Sequence, residues 1–312
     1  MKEGHVASVG APQRRADADL VVGTLYLVPT PIGNPADITL RAIDVLRQAD
    51  IVAAEDTRHT RTLLRRLDIA ARLLSYHDHN EGSRSQQLLA ALRDGADVAL
   101  VCDAGTPLVN DPGFRMVTAA IGAGLRVCPL PGANAAITAL IGSGLPVHSF
   151  HYAGFLPRRQ AARRAALRRL TQTDASLIFF EAPHRVLEAV RDMRDVLGDR
   201  SAALARNLTK SDEEFIRGRL SDIAAELAKT DTVRGEHTLV VGGAVGEEPD
   251  DARALAGRVA DVLARHGVGA RVTREVIGEL THLPRNWVYE RVQLAEQRQA
   301  RQHATAVRNH CP

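Results

Sequence analysis

The sequence predicts an α/β protein with a strand-rich second half and a short helical end. Between Thr24 and about Leu145, short apolar runs alternate with helix-period segments, which points to a parallel or mixed sheet with helices on its faces. After Leu145-Pro146, strands outnumber helices, as in an α+β domain. Beyond the polar stretch at 243–251 (GAVGEEPDD), only helical patterning remains.

In chain order, the first strand is Thr24–Val28. It is followed by a helix over Leu40–Gln48, for which Asp37-Ile38-Thr39 supplies N-cap chemistry. Ile51–Ala54 reads as a strand, Thr60–Leu67 as a helix, Leu73–Ser75 as extended and Arg84–Arg93 as a helix stopped by Gly95. Strand Val98–Cys102, helix Phe114–Gly122, strand Arg126–Cys128 and helix Ala133–Ser143 complete the alternation. In the second half, Phe150–Phe155, Leu177–Phe180, Ala202–Leu208 and His237–Val241 are strands, while Arg159–Leu170 and Val186–Leu197 are helices. Three helices, Ala252–Arg265, Arg271–Thr281 and Arg285–Glu296, close the ordered part in a layout like a helix-turn-helix or a plain helical appendage. The expected domains are a disordered leader (1–22), an α/β domain (23–146), an α+β domain (147–242), a linker (243–251), a small helical domain (252–296) and a basic tail (297–312).

Three apolar runs end in Pro/Gly loops: Pro29–Pro35, Asp103–Pro107 and Pro131–Asn134. Ligands of open α/β sheets bind outside the carboxyl ends of strands, where glycine lets backbone come close, so the three loops read as walls of one crevice. Each alone could serve turn geometry only.

Composition narrows the classes. An apolar content of 45% with 25% charged residues is that of an ordinary globular protein, and no run is long enough to span a bilayer. Cys102, Cys128 and Cys311 show neither metal spacing nor a disulfide framework, so a reducing cytoplasm is expected. His77-Asp78-His79 lacks a nearby third ligand, and no metal is expected. Net charge is only +3, but Arg158, Arg159, Arg163, Arg164, Arg168 and Arg169 crowd one stretch. That stretch is either a phosphate-binding surface or a solvated helix face.

Six segments in order carry a resemblance: Val28–Asn34 (VPTPIGN), Ala54–Thr60 (AEDTRHT), Asp103–Pro107 (DAGTP), Gly154–Pro157 (GFLP), Phe180–Arg185 (FEAPHR) and Leu208–Glu214 (LTKSDEE). Together they closely resemble the bacterial RsmI family, S-adenosylmethionine-dependent methyltransferases of small-subunit ribosomal RNA built on the tetrapyrrole-methylase fold. The resemblance spans about Gly23 to Leu294. It implies two α/β domains with the cofactor in the cleft between them and a homodimer. It also implies 2′-O-methylation of a decoding-region cytidine of 16S rRNA, in the small ribosomal subunit. Rival readings are a same-fold methylase of a small tetrapyrrole and a non-catalytic ribosome-binding factor.

The resemblance implies cofactor contacts at Pro31, Gly33, Asp103, Ala104, Gly105, Thr106, Pro131, Gly132, Phe180, Glu181, Ala182 and Asn207. Asp103 comes first among these, although an aspartate after a strand can also serve an Asx-turn or a cap, and Phe180 can equally be sheet core. Asn207 replaces the glutamate usual in that segment; Cys102 and Asn110 stand where serine is common. A ribose hydroxyl is a poor nucleophile, so a base or a charge that lowers its pKa would help. Lys210 is the first candidate, with a phosphate contact as its alternative, followed by Glu55 and Asp56. Arg58, Arg61, Arg163, Arg164 and Arg185 are the expected RNA contacts, with the Arg285-Asn286-Trp287 helix as an extension. Aromatic content of 4% favours recognition by shape and phosphate over base stacking.

Overall fold

A computed structural model describes residues 22–229, 234–244, 249–281, 283 and 285–308. The expected leader apart from Val22, part of the linker and the end of the tail lie outside them. By contacts the chain forms two compact units: one extends to Arg168 and includes Ser176–Val241, the other takes Arg169–Ala175 and the chain from Gly242 onward.

The first unit holds two sheets. Strands β1 (Thr24–Leu27), β2 (Ile51–Ala54), β3 (Leu73–Ser75), β4 (Val98–Val101) and β5 (Arg126–Pro129) pair in parallel in the order β3-β2-β4-β1-β5. Side chains alternate across such a sheet, and both faces are covered, so the strands read as continuous apolar runs. Ile51, Ala53, Val98 and Leu100 pack against helices α3 (Glu81–Arg93) and α4 (Phe114–Gly122). Val52, Ala54, Ala99 and Val101 pack against α1 (Leu40–Gln48) and α2 (Thr57–Arg66).

Caps set where the helices begin. Thr39 Oγ1 accepts from Ala42 N at 3.0 Å, which bears out the N-cap expected for α1. Asp56 Oδ1 accepts from Arg58 N at 2.8 Å, so α2 starts nearly a turn before the expected Thr60. Asn134 Oδ1 accepts from Ile137 N at 3.1 Å at the head of α5 (Ala135–Ser143).

The second sheet has the order β6-β7-β10-β8-β9. Its strands are β6 (Phe150–Phe155), β7 (Ser176–Glu181), β8 (Ser201–Arg206), β9 (Glu214–Arg219) and β10 (His237–Val241). Only β6 and β7 are parallel among its pairs, as an α+β half requires. Helices α6 (Gln160–Arg168), α7 (Val186–Leu197) and α8 (Leu220–Leu227) accompany it. Strand β9 and helix α8 were not expected from the sequence. In β9, the charges of Glu214, Arg217 and Arg219 interrupt the half-buried Phe215 and Ile216 at the sheet edge without a clean alternation, which hides the strand signal. In α8, buried Leu220, Ile223, Ala224 and Leu227 follow the helical period, and Asp222 accepts from Arg219 N, so that signal was legible.

The second unit contains α9 (Pro249–Arg265), α10 (Ala270–Thr281) and α11 (Arg285–Arg308), packed on Ala256, Ala260, Ile277, Val288 and Val292. Helix α11 runs past the expected stop at Glu296. Trp287 packs against this core with the Arg253 guanidinium 5.9 Å from its ring centre.

Candidate functional site

At the carboxyl ends of the first sheet, the loop after β1 meets the loop after β4. Thr30 N donates to Gly105 O at 2.8 Å and Gly105 N to Thr30 O at 2.9 Å. Gly105 takes φ +88°, and a Cβ there would lie 3.2 Å from Ile32 Cγ2, so the close pairing depends on glycine. The third loop joins through Thr106, whose Oγ1 donates to Ala133 O at 2.9 Å and accepts from Asn134 Nδ2 at 3.3 Å. The three Pro/Gly loops therefore do converge.

Two cavities open on this junction. The first, about 360 Å³, is lined by Ala104, Gly105 and Thr106 from the first sheet and by Phe180, Glu181, Ala182 and the turn before β10 from the second. Phe180 is half-buried, with Tyr152 and Phe155 edge-on at 5.3 and 5.6 Å, and these rings make an apolar wall. Asp111, Glu181 and Glu236 line the same cavity, Glu181 paired with Arg185 and Glu236 with Lys210, and among the described residues no Lys or Arg lines it. Such a site suits a ligand that joins a flat heterocycle to a positive charge.

The second cavity, about 270 Å³, shares Ile32, Ala104 and Glu236 with the first. Pro31, Gly33, Asp103 and Lys210 lie in this one, not in the first. Lys210 Nζ donates to Glu236 Oε1 at 3.1 Å, at the boundary of the two cavities. The Lys210 turn is held by Thr209 Oγ1, which accepts from Asn34 N at 2.9 Å.

Glu55 lines neither cavity but lies close to the carboxylates of Asp103 and Asp111, which do line them. Asp103 Oδ1 accepts from Asp56 N at 3.0 Å, tying the β4 loop to the β2 loop. Burial, then the charges of Asp111 and Asp103, raises the pKa of Glu55; Asp111 is also raised, chiefly by burial. Asp56 is different: bonds from the Arg58 side chain and backbone hold it well below the usual range. With its oxygens engaged by Arg58 and the α2 cap, Asp56 is a helix-starting residue rather than a base.

Several expected contacts fall elsewhere. Pro131 and Gly132 line neither cavity; a Cβ on Gly132 would lie 2.6 Å from Pro29 Cβ, so this loop packs on the first one. Asn207, at φ +51°, also lines neither. Its Oδ1 accepts from Glu236 N at 3.1 Å and its Nδ2 donates to Asp212 at 2.7 Å, so it positions the Glu236 turn.

The expected RNA contacts need correction. Arg163 has 2% of its side chain exposed and gives Nε and Nη2 to Asp192 Oδ2, each at 2.7 Å. Arg164 donates to Asp192 and Asp195 at 2.6 and 2.8 Å. Burial alone would raise the pKa of Asp192, but bonds from Arg164, Arg163 and Gln160 outweigh it and hold the carboxyl low. Both arginines thus join α6 to α7. Arg185 pairs with Glu181 and is mostly covered. Arg58 and Arg61 are exposed on α2 as expected.

Sequence reading missed Gly235, Glu236, His237 and Thr238. A polar Gly-Glu pair directly before an apolar strand was the available signal. Among the described residues, no cluster of His, Cys, Asp and Glu forms a metal-holding group, and no helix is long and apolar enough to cross a membrane.

Residues 24–224 match the family described as Tetrapyrrole (Corrin/Porphyrin) Methylases. The chain is 64% identical over 88% of its length to a Micromonospora olivasterospora protein named ribosomal RNA small subunit methyltransferase I, and 88% of that protein is covered. It is 48% identical to the Escherichia coli O157:H7 protein of the same name, over 76% of this chain and 84% of that one. Among solved structures, uroporphyrin-III-C-methyltransferase from Thermus thermophilus aligns with TM-score 0.51 at 25% identity, over 72% of this chain and 96% of that one. Diphthine synthase aligns with TM-score 0.54 at 18% identity, over 71% and 90%, which speaks for the fold alone.

Proposed function

The chain belongs to the tetrapyrrole methylase family and, within it, to the ribosomal RNA small subunit methyltransferases I; from that premise we propose that it methylates the 2′-oxygen of a decoding-region cytidine of 16S rRNA, with S-adenosylmethionine as donor. The reading rests above all on the 64% identity over 88% of both chains. The substrate is the small ribosomal subunit, and the protein works in the cytoplasm as a homodimer. Exposed apolar side chains on α4, α5 and β6 (Phe114, Ile121, Ile137, Ile141 and Phe150) support self-association.

The first cavity fits the donor. The Phe180 wall suits an adenine, the backbone of Ala104–Thr106 can meet its polar edges, and the acid lining favours a sulfonium and an ammonium. Bound there, S-adenosylmethionine supplies an electrophilic methyl carbon. The protein's task is then to hold an acceptor hydroxyl in line and to exclude water. Lys210 serves as a hydrogen-bond donor at the cavity boundary: an ammonium has three N–H bonds, and Glu236 takes one.

The test is transfer of labelled methyl from S-adenosylmethionine to purified small and large ribosomal subunits. Label on small-subunit RNA alone is expected. Label on a tetrapyrrole and none on RNA would replace this reading with the small-molecule one.

A further inference from the structure

The two adjoining cavities differ in charge character. The first is lined by the carboxylates of Asp111, Glu181 and Glu236 and, among the described residues, by no Lys or Arg, whereas the second gathers His59, Arg66 and Lys210 beside Asp103 and Glu236. His59, Thr62 and Arg66 project from one face of α2, at the i, i+3 and i+7 spacing that stacks side chains along a helix. Outside the cavity, the same helix continues the positive charge: Arg61 and Arg65 are exposed, Arg58 is exposed but paired with Asp56 at the helix start, and α2 contains no acidic residue. A cationic donor has no use for this second set. A phosphate-bearing acceptor does.

We propose that the second cavity is the acceptor-nucleotide pocket. The nucleotide's phosphate meets Arg66 and His59, and its ribose lies at the boundary held by the Lys210–Glu236 pair. Exposed Arg61 and Arg65 take flanking phosphates of the same strand. The assignment rests on the proposed ribosomal RNA function and adds to it where the RNA enters. It moves the RNA surface from α6, whose Arg163 and Arg164 are engaged by Asp192, to α2.

Geometry supports the boundary as the meeting point. Ile32, Ala104 and Glu236 line both cavities, so a ligand in one lies against a ligand in the other. Gly33 is what brings Lys210 there: a Cβ on it would fall 2.6 Å from Lys210 Cγ and 2.8 Å from Leu208 O. Phosphate contacts position a strand without reading its sequence, which suits a protein poor in aromatics for stacking.

The experiment compares the native protein with Arg66→Ala, Arg66→Lys and His59→Ala. It measures small-subunit RNA affinity over a salt series, KM for the subunit, and S-adenosylmethionine affinity by calorimetry. His59 and Arg66 are exposed side chains, so unchanged melting temperatures are expected. Arg66→Ala is expected to weaken RNA binding, raise KM and lower the salt slope by about 0.7 to 1. Arg66→Lys should retain most of the slope, and cofactor affinity should stay the same in every variant. Unchanged RNA affinity and slope in Arg66→Ala and His59→Ala would overturn the assignment. So would a loss of cofactor affinity matching the loss for RNA, which would make both cavities one donor site. Failure of the ribosomal reading is distinct: the native protein itself would then methylate no ribosomal RNA.

Discussion

Gly33 and Lys210 sit so close that no side chain fits between them: a Cβ on Gly33 would lie 2.6 Å from Lys210 Cγ and 2.8 Å from Thr209 Oγ1. The loop after β1 is thereby pressed onto the turn after β8, and Lys210 is delivered to the boundary of the two cavities. Gly33→Ala must push that turn away. Since misplacement of about 1 Å can cost about 10²-fold in rate, a kcat loss of that order is expected. The loop is exposed, so the melting temperature should barely move. Steady-state kinetics with a thermal melt checks both.

Asp103 offers a way to separate structure from charge. Its Oδ1 accepts from Asp56 N, and Asp103→Ala leaves that N–H short of a partner, at a cost of about 1–3 kcal/mol. Asp103→Asn keeps an acceptor oxygen and removes the charge. We expect urea unfolding to show a loss for the alanine variant and little for the asparagine variant. Because Asp103 lines the second cavity and not the first, the asparagine variant should bind S-adenosylmethionine as the native protein does in calorimetry.

Arg163 is predicted to matter for folding and not for RNA. Removing one partner of a buried ion pair costs about 3–5 kcal/mol, with Arg164 and Gln160 left to offset part of it. Arg163→Ala should lower the unfolding midpoint in urea markedly. At a temperature where the variant is folded, its RNA affinity should equal that of the native protein.

His237 links stability to pH. It is 3% exposed; burial, then the charge of Arg206, outweighs a backbone hydrogen bond at Gly235 and brings its pKa down to about 4. The folded value lies below the ordinary 6.5, so the unfolded chain binds the extra proton between them. Its contribution to stability is complete above pH 6.5 and is lost as pH falls toward 4, by at most about 3 kcal/mol. His237→Gln should lose less stability than the native protein between pH 7 and pH 5 in urea unfolding. Equal losses would contradict the assignment.

Much of the frame was legible because burial on both faces leaves uninterrupted apolar runs. Phe150–Phe155, Val186–Leu197 and His237–Val241 have the bounds their patterns suggested. The crevice was legible for a similar local reason, since loops after parallel strands announce themselves with Gly and Pro. Pairings between distant segments were not. Arg163 meets Asp192 across 29 residues, and a dense run of arginines looks the same whether it faces RNA or a carboxylate. Asn34 reaches Thr209 across 175 residues, so which cavity Pro31, Gly33 and Lys210 would line depended on a contact with no local signature. Glu236 was hidden in the same way, as one polar residue before a strand.

Methylation of a ribose oxygen of small-subunit RNA at this site is read out by mass spectrometry of nucleosides and nuclease fragments from small subunits lacking the modification, incubated with the protein and S-adenosylmethionine. One new 2′-O-methylcytidine in a decoding-region fragment is expected, absent when Lys210→Ala replaces the native protein. A methyl group on a base, or on riboses scattered through the RNA, would contradict it.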